Sequence, residues 1–327
     1  MISARTVFLV GGQGSQYFGM GKSLLANEQY ASTWCSLNDY VKAARGIDVH
    51  AYVHARGATI ADACDNLPCT SAALLMLQLA LADTLRSRGV VPDVLVGSSL
   101  GEFGAMVIAG YLSPFQVLDF VIDLAEIVQH GVPRGGMLAV LGSPRLVLGY
   151  GSIEVVARNH ANHTIIAGTD SDLAWAEQVL NGDDVLTLRL PTPAPFHSSL
   201  LDPVRPNVLS ASRGLRFEAA SSKVWSAATA TRVDSAGPEN IWHVLRAPMR
   251  LVEAVQAVPA AQRCVYVDLS PGGSLAGLLR GAADTPPVLP VVTPFHNEPD
   301  RLTQVLGSVR DVFSSVSYAQ SPRGVHP

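Results

Sequence analysis

The apolar positions of this chain fall into two textures. Over the first 131 residues, short β-branched or leucine-rich runs alternate with longer segments of three- and four-residue spacing. Residues 6–10 predict a strand that runs into a glycine-rich loop, after which 20–25 open a helix. Residues 30–53 predict a helix, with Trp34, Leu37, Tyr40 and Val41 at helical spacing. Residues 70–88 predict a long helix, begun near Thr70-Ser71 and stopped at Gly89, with Leu74, Leu77, Leu81 and Leu85 on one face. A second strand, 94–96, enters a glycine-flanked turn, and an apolar segment with small residues, 103–109, leaves it. Ser113-Pro114 opens a helix through 115–129, closed by Gly131. Strands alternating with helices predict a largely parallel sheet covered by helices, an α/β architecture.

The pattern changes after Pro133. Residues 137–141, 153–159, 164–167 and 185–190 read as strands, and 170–180 as a helix capped by Asp170 or Ser171. Such a run suits a small α+β insert with an antiparallel sheet. Residues 191–195 form a proline-rich hinge. Beyond it, strands at 224–226, 265–269 and 288–292 and helical pieces at 201–209, 251–258 and 275–279 return to the first texture. The expected division is one discontinuous large domain, 1–131 with 196–317, a small subdomain, 132–195, and a mobile tail, 318–327.

Apolar residues make up 48% of the chain and charged residues 15%, which excludes a disordered protein. A formal charge of −4 gives no general attraction to nucleic acid or to an anionic membrane. The N-terminus lacks the pattern of a signal peptide, and no uninterrupted apolar run reaches the length of a bilayer span. Cys35, Cys64, Cys69 and Cys264 have neither metal-ligand nor disulfide spacing, so a reduced cytoplasmic setting and no bound metal are expected.

Two stretches carry candidate chemistry. Gly97-Ser98-Ser99-Leu100-Gly101 is a Gly-x-Ser-x-Gly string between a strand and a helix, the pattern of a nucleophile elbow. In that setting Ser99 Oγ is lifted off the strand end, and the Leu100 N–H is placed to stabilise a developing oxyanion. Alone, the string is equally an ordinary strand-to-helix loop. Gly11-Gly12-Gln13-Gly14-Ser15-Gln16 is not a phosphate loop, for no Gly-Lys-Ser/Thr follows. As a dinucleotide fingerprint it lacks the third glycine and the distal acid. It reads as a turn whose backbone can approach a reacting group closely. A serine nucleophile also needs a base within hydrogen-bond reach, and His197, in Pro-Phe-His-Ser after the hinge, is the candidate.

Together, Gly-Gln-Gly-Ser-Gln, Gly-Ser-Ser-Leu-Gly, Pro-Phe-His-Ser and Asp268-Leu269-Ser270-Pro271-Gly272 resemble the malonyl-CoA:acyl carrier protein transacylases and the acyltransferase domains of polyketide and fatty-acid synthases. The resemblance implies a large α/β-hydrolase-like domain with a small ferredoxin-like insert. Here 143–151 is too short for the full first helix of that insert. It implies Ser99 as nucleophile and His197 as base, the histidine oriented by a backbone carbonyl just before Ala247-Pro248. It implies an oxyanion hole from the N–H groups of Gln13 and Leu100, with Ser98, Leu124 and Asn159 near the substrate. The implied reaction is ping-pong: a thioester acylates Ser99, and a second thiol takes the acyl group. No cofactor is bound; the phosphopantetheine thioester of a partner acyl carrier protein, or CoA, is substrate.

Two departures bear on the substrate. Ser98 stands where the family's elbow usually has histidine. The arginine that pairs with a malonyl carboxylate falls, counted without gaps, at Leu124, and no arginine lies between Phe103 and Gln129. An unpaired carboxylate in an apolar pocket costs several kcal/mol. A non-malonyl acyl group is therefore expected. Asp123 reads as solvent-facing or structural, although it or Glu126 would suit an amine. Discrete polyketide enzymes without this arginine include acyl transferases and proofreading acyl hydrolases, and both readings stay open. Malonyl transfer stays as a third, beside a true α/β-hydrolase esterase and a carrier-binding module with a vestigial site. Arg134, Arg145, Arg246 and Arg250 are candidates for docking an acidic carrier protein to a monomeric enzyme.

Overall fold

The computed structural model describes residues 4–234, 237–261, 263–295 and 297–319. The chain starts with strand β1 (Ala4–Val10), whose Val7, Phe8, Leu9 and Val10 are fully buried. Both faces of this strand are covered, as a nearly continuous apolar run requires. Helices α1 (Glu28–Arg45) and α2 (Val49–Val53) follow. The single helix expected over 30–53 is broken, because Gly46 adopts a left-handed φ of 69° that ends α1. The expected opening at 20–25 is a short 3₁₀ turn, Lys22–Ala26.

Helix α3 (Leu67–Ser87) begins earlier than its apolar run suggests, because the Asn66 side chain accepts from the Cys69 N–H and caps it. It is long and apolar enough to span a bilayer by length and composition, but most of it is packed in the core. Leu75, Met76, Ala80 and Ala82 are as buried as the stripe of Leu74, Leu77, Leu81 and Leu85, so α3 is enclosed all round. Strand β2 (Val94–Gly97), helix α4 (Gly101–Ala109) and helix α5 (Pro114–Gly131) complete the first half. Arg45 on α1 is ion-paired to α5 through Asp123, Asp119 and Glu126. Asp123 and Glu126 therefore hold two helices together and do not line a site.

Strand β3 (Gly135–Leu141), β4 (Glu154–His160), β5 (His163–Thr169) and β6 (Leu186–Arg189) form a second sheet of four antiparallel strands, in the order β4-β5-β3-β6. Helix α6 (Asp170–Gly182) packs on one face of it, and its cap is Thr169, not Asp170 or Ser171. Residues 142–153 form turns in place of a first helix. Among the described residues this is a split βαβ pattern with one of its two helices reduced to a loop.

The chain then adds α7 (Arg205–Ser212), β7 (Lys223–Ser226), β8 (Thr231–Arg232), α8 (Pro238–Arg246), α9 (Leu251–Gln256), β9 (Arg263–Asp268), α10 (Ser274–Arg280), β10 (Val288–Pro290) and α11 (Glu298–Ala319). The larger sheet, of six strands among the described residues, has the order β10-β9-β1-β2-β7-β8, parallel except for β8. The fold is α/β, with a large parallel-rich sheet and a small ferredoxin-like one. The tail expected to be mobile lies outside the described residues from 320 onward, and residues 318 and 319 continue α11.

In register, Val10 of β1 lies beside Gly97 of β2, and Leu9 lies beside Asp268 of β9. The segments after these three strands therefore emerge together at the carboxyl edge of the sheet. Parallel sheets present their ligand crevices at that edge.

Candidate active site

The elbow is built by contacts that only glycine permits. A Cβ on Gly97 would lie 2.5 Å from Glu102 Cα. Gly12, in the loop after β1, approaches from the other side: its Cβ would lie 2.9 Å from Ser99 Cβ and 3.0 Å from Leu100 N. The glycine-rich loop is thus laid against the serine turn, as its composition suggested. Ser99 sits at a φ of 55°, which costs an L-residue about 1–2 kcal/mol. The turn before α4 holds it there, with Gly101 N donating to Ser98 O at 3.0 Å and Glu102 N to Ser99 O at 2.8 Å.

His197 reaches Ser99 from a different part of the chain. Its Nε2 is 2.9 Å from Ser99 Oγ, and its Nδ1 is 2.9 Å from the Ala247 carbonyl oxygen. The orienting carbonyl is that of Ala247 itself, one residue later than expected. A carbonyl only accepts, so Nδ1 carries the hydrogen, Nε2 holds a lone pair, and the Ser99 hydroxyl donates to it. His197 is also in the left-handed region, at a φ of 66°, and its N–H donates to Leu245 O at 3.0 Å. Both anchoring carbonyls come from the end of α8 and the residue after it. Burial lowers the His197 pKa to about 4, against a smaller opposing effect of the Ala247 carbonyl. The imidazole is neutral at pH 7 and ready to accept a proton.

A cavity of about 180 Å³ opens over these two residues. Gln13, Ser98 and Asn159 line it, together with Met137, Ala139, Ile165, Leu188 and Leu190 of the small-sheet segment. Asn159 is buried, and its Nδ2 donates to His163 Nδ1 at 3.0 Å. His163, which sequence reasoning passed over, therefore carries its hydrogen on Nε2. Burial, followed by the neighbouring His160, lowers its pKa, so it too is neutral. The signal was present: His163 lies two residues before Ile165 and so shares its strand face. Leu124 was expected to face the substrate. It is instead buried in the main core and is not among the side chains lining the cavity. Counting along a helix finds a position but not the face it presents.

Buried Gln78, Asp268 and Glu102, with half-buried Gln13, position the walls. Gln78, in the middle of α3, donates to Gly11 O at 2.6 Å, and Gln13 Nε2 donates to Ser71 Oγ at 2.8 Å. Asp268 Oδ1 accepts the Ser270 N–H, and its Oδ2 accepts the Ala276 N–H, fixing the start of α10, which lends Ser274, Leu275 and Leu278 to the cavity. Burial raises the Asp268 pKa to about 6, against the hydrogen bonds it accepts. Glu102, fully buried behind the elbow, accepts the Ala228 N–H at 3.0 Å, and burial raises its pKa to about 8. In the unfolded chain Glu102 ionises near its ordinary pKa, so its stabilising effect is present below that value and is lost as pH rises through about 8. Glu102→Gln keeps the neutral shape. Its melting temperature is expected to fall less between pH 5 and 8 than that of the parent, as calorimetry would show; an unchanged pH slope would contradict this.

Of the four arginines considered for docking, three are already ion-paired. Arg134 faces Asp170 at 3.8 Å, Arg246 faces Asp202 at 2.7 Å and Arg250 faces Glu253 at 3.7 Å. Arg145 is exposed on the 142–153 turns. Among the described residues, no group of three or more His, Cys, Asp or Glu side chains is placed to hold a metal ion.

Residues 7–303 match the acyl transferase domain family. The chain is 31% identical to the polyketide biosynthesis acyltransferase homolog BaeD of Bacillus velezensis, over 93% of this chain and 96% of that one. It is 29% identical to the homolog PksD of Bacillus subtilis, over 91% and 95%. The acyltransferase domain from the second module of the salinomycin polyketide synthase shares the fold, with a TM-score of 0.81 at 24% identity over 99% of this chain and 79% of that one. So does the malonyl CoA-acyl carrier protein transacylase of Clostridium perfringens, with a TM-score of 0.79 at 21% identity over 96% and 99%. The match of the family over nearly the whole chain, elbow and histidine segment included, places this protein in the acyl transferase domain family.

Proposed function

We propose that this chain is an acyltransferase of polyketide biosynthesis that carries a non-malonyl acyl group on Ser99 between acyl carrier proteins. One observation carries the substrate reading. The lining of the cavity over Ser99 includes no arginine or lysine, and its two histidines are held neutral by burial. A free carboxylate there would lack a charge partner. The names of the Bacillus relatives support the polyketide setting.

In the first half-reaction Ser99 Oγ attacks the thioester carbonyl while its proton passes to His197 Nε2. The N–H groups of Gln13 and Leu100 face the oxyanion. Collapse of the tetrahedral intermediate breaks the C–S bond, and His197 returns the proton to the leaving thiol. The phosphopantetheine thiol of a second carrier then gives its proton to His197 and attacks the acyl-serine carbonyl; collapse breaks the C–O bond to Ser99, whose Oγ takes the proton back from His197, and the carrier leaves with the acyl group. None of these steps draws on a metal or a bound cofactor. The enzyme acts as a monomer in the cytoplasm, 132–195 forming the subdomain that covers the cleft. Arg145 is the remaining candidate for meeting an acidic carrier.

Leu188 at the mouth is 61% exposed, so the mouth admits water, and hydrolysis of the acyl-enzyme is the second reading. Intact-protein mass spectrometry separates the two. The protein is mixed with an acyl carrier thioester and an empty second carrier, beside a Ser99→Ala control. An adduct that needs Ser99 and moves to the empty carrier is expected. Loss of acyl from the donor without gain on the acceptor would make the protein a hydrolase. A malonyl adduct from malonyl-CoA would overturn the non-malonyl reading.

A further inference from the structure

We propose that the cleft face of the small sheet is a track for the acyl chain, leading from Ser99 to the open edge of β6. The acyl group taken is then a neutral, apolar chain longer than propionyl. This rests on Ser99 as the acyl-bearing residue.

The register of the small sheet defines the track. Ile165 on β5, Ala139 on β3 and Leu188 on β6 lie directly opposite one another, and all three line the cavity. Directly opposed residues share a face, as do residues two apart on one strand. The next pair outward, Leu141 opposite Leu186, therefore continues the same face. One such step is about 6.8 Å along a strand. These side chains are not hidden: Leu141 is 48% exposed and Leu186 is 70% exposed.

The sheet does not need these leucines for its own core. Its other face, with Leu138, Val140 and Ile166, packs against Leu173, Ala176 and Leu180 of α6. The alternate residues of β6 turn to that side: Thr187 donates to Asn181 of α6 at 3.1 Å, and Arg189 pairs with Glu177 of α6 at 2.9 Å. Edge strands are ordinarily blunted by charge or proline. This one presents leucines to the cleft, in line with a reactive cavity, and apolar patches of that kind mark ligand grooves. The phosphopantetheine arm fits less well, because its amides would meet a surface of leucine side chains without donors or acceptors. The track ends in solvent, so it sets no sharp upper limit on chain length.

The test is single-turnover acylation of Ser99 by acetyl, butyryl, hexanoyl and octanoyl thioesters carried on one and the same pantetheine arm. Acylation efficiency is expected to rise about two- to fourfold per methylene where the chain meets the track. Leu186→Asn with Leu141→Asn is expected to slow octanoyl transfer about tenfold more than acetyl transfer, only the distal methylenes of the longer chain reaching the changed surface. An equal loss for both chains would assign the strip to the arm or the carrier and overturn the track. A rate independent of chain length in the parent would overturn it as well. In both cases Ser99 still takes acyl groups. Failure to acylate Ser99 with any chain would instead overturn the nucleophile reading, and the track with it.

Discussion

Replacing His197 by alanine is expected to slow acylation of Ser99 roughly ten-thousandfold, with folding intact by circular dichroism. The hydroxyl proton has one acceptor at 2.9 Å, His197 Nε2, whose lone pair is secured because the Ala247 carbonyl claims the hydrogen on Nδ1. Without the imidazole, the proton of Ser99 has no base placed to receive it. The same geometry fixes the pH dependence in the parent enzyme. In the proposed mechanism His197 accepts the proton when neutral, and burial sets its pKa near 4. Acylation is therefore expected to stay level from pH 8 down to about 5 and to fall only below that, in quenched single-turnover reactions. An inflection near the ordinary imidazole pKa would show that the ring is more solvated than the structure has it. The stability argument runs in the same direction. The unfolded chain binds a proton on this histidine near its ordinary pKa and the folded chain only near 4, so acidification between the two weakens the fold.

The parts of this site that were legible in the sequence are those where a backbone constraint leaves a mark on residue type. Gly97, Gly101 and Gly12 had to be small, and Ser99 stands among them. His197 was marked by its proline-flanked loop. What stayed hidden is buried and polar. Gln78 and Glu102 lie within apolar helical runs, where hydrophobic spacing treats any polar residue as a gap. Only the fold shows that one holds the loop after β1 and the other ties α4 to the turn after β7. Helix α8 also escaped notice, although its end supplies Leu245 O and precedes Ala247 O, the two carbonyls that fix His197. Helix α11 escaped as well. Its Leu302, Val305, Leu306 and Val309 repeat at helical spacing and are buried, so that signal was available. Leu124 illustrates the opposite error. Helix α5 buries Phe120, Val121, Ile122, Leu124 and Ala125 alike, so a position on it does not reveal which neighbour it meets.

Gly101→Ala is the single methyl group expected to do most damage to the fold. Its Cβ would lie 2.1 Å from Val10 O, 2.5 Å from Val10 C and 2.6 Å from Gly11 O. All three are backbone atoms of β1 and the loop after it, and β1 is paired on both sides, with β2 and β9. No rotamer change relieves the clash; either the central strand or the elbow must move. A loss of about 4 kcal/mol or more is expected in urea denaturation. Acylation should be lost as well, because Ser99, Leu100 and the Gly12 loop are held by the same close approach. Gly307→Ala is the matched control. It adds the same methyl group in the middle of α11, where nothing lies within 4 Å, and should stabilise by about 0.5–1 kcal/mol through helix propensity. The contrast separates the cost of contact from the general effect of replacing glycine in a helix. If Gly101→Ala were as stable as the parent and still acylated Ser99, the loop after β1 could not be pressed against the elbow. The positioning of Gln13 beside the oxyanion would then lose its basis.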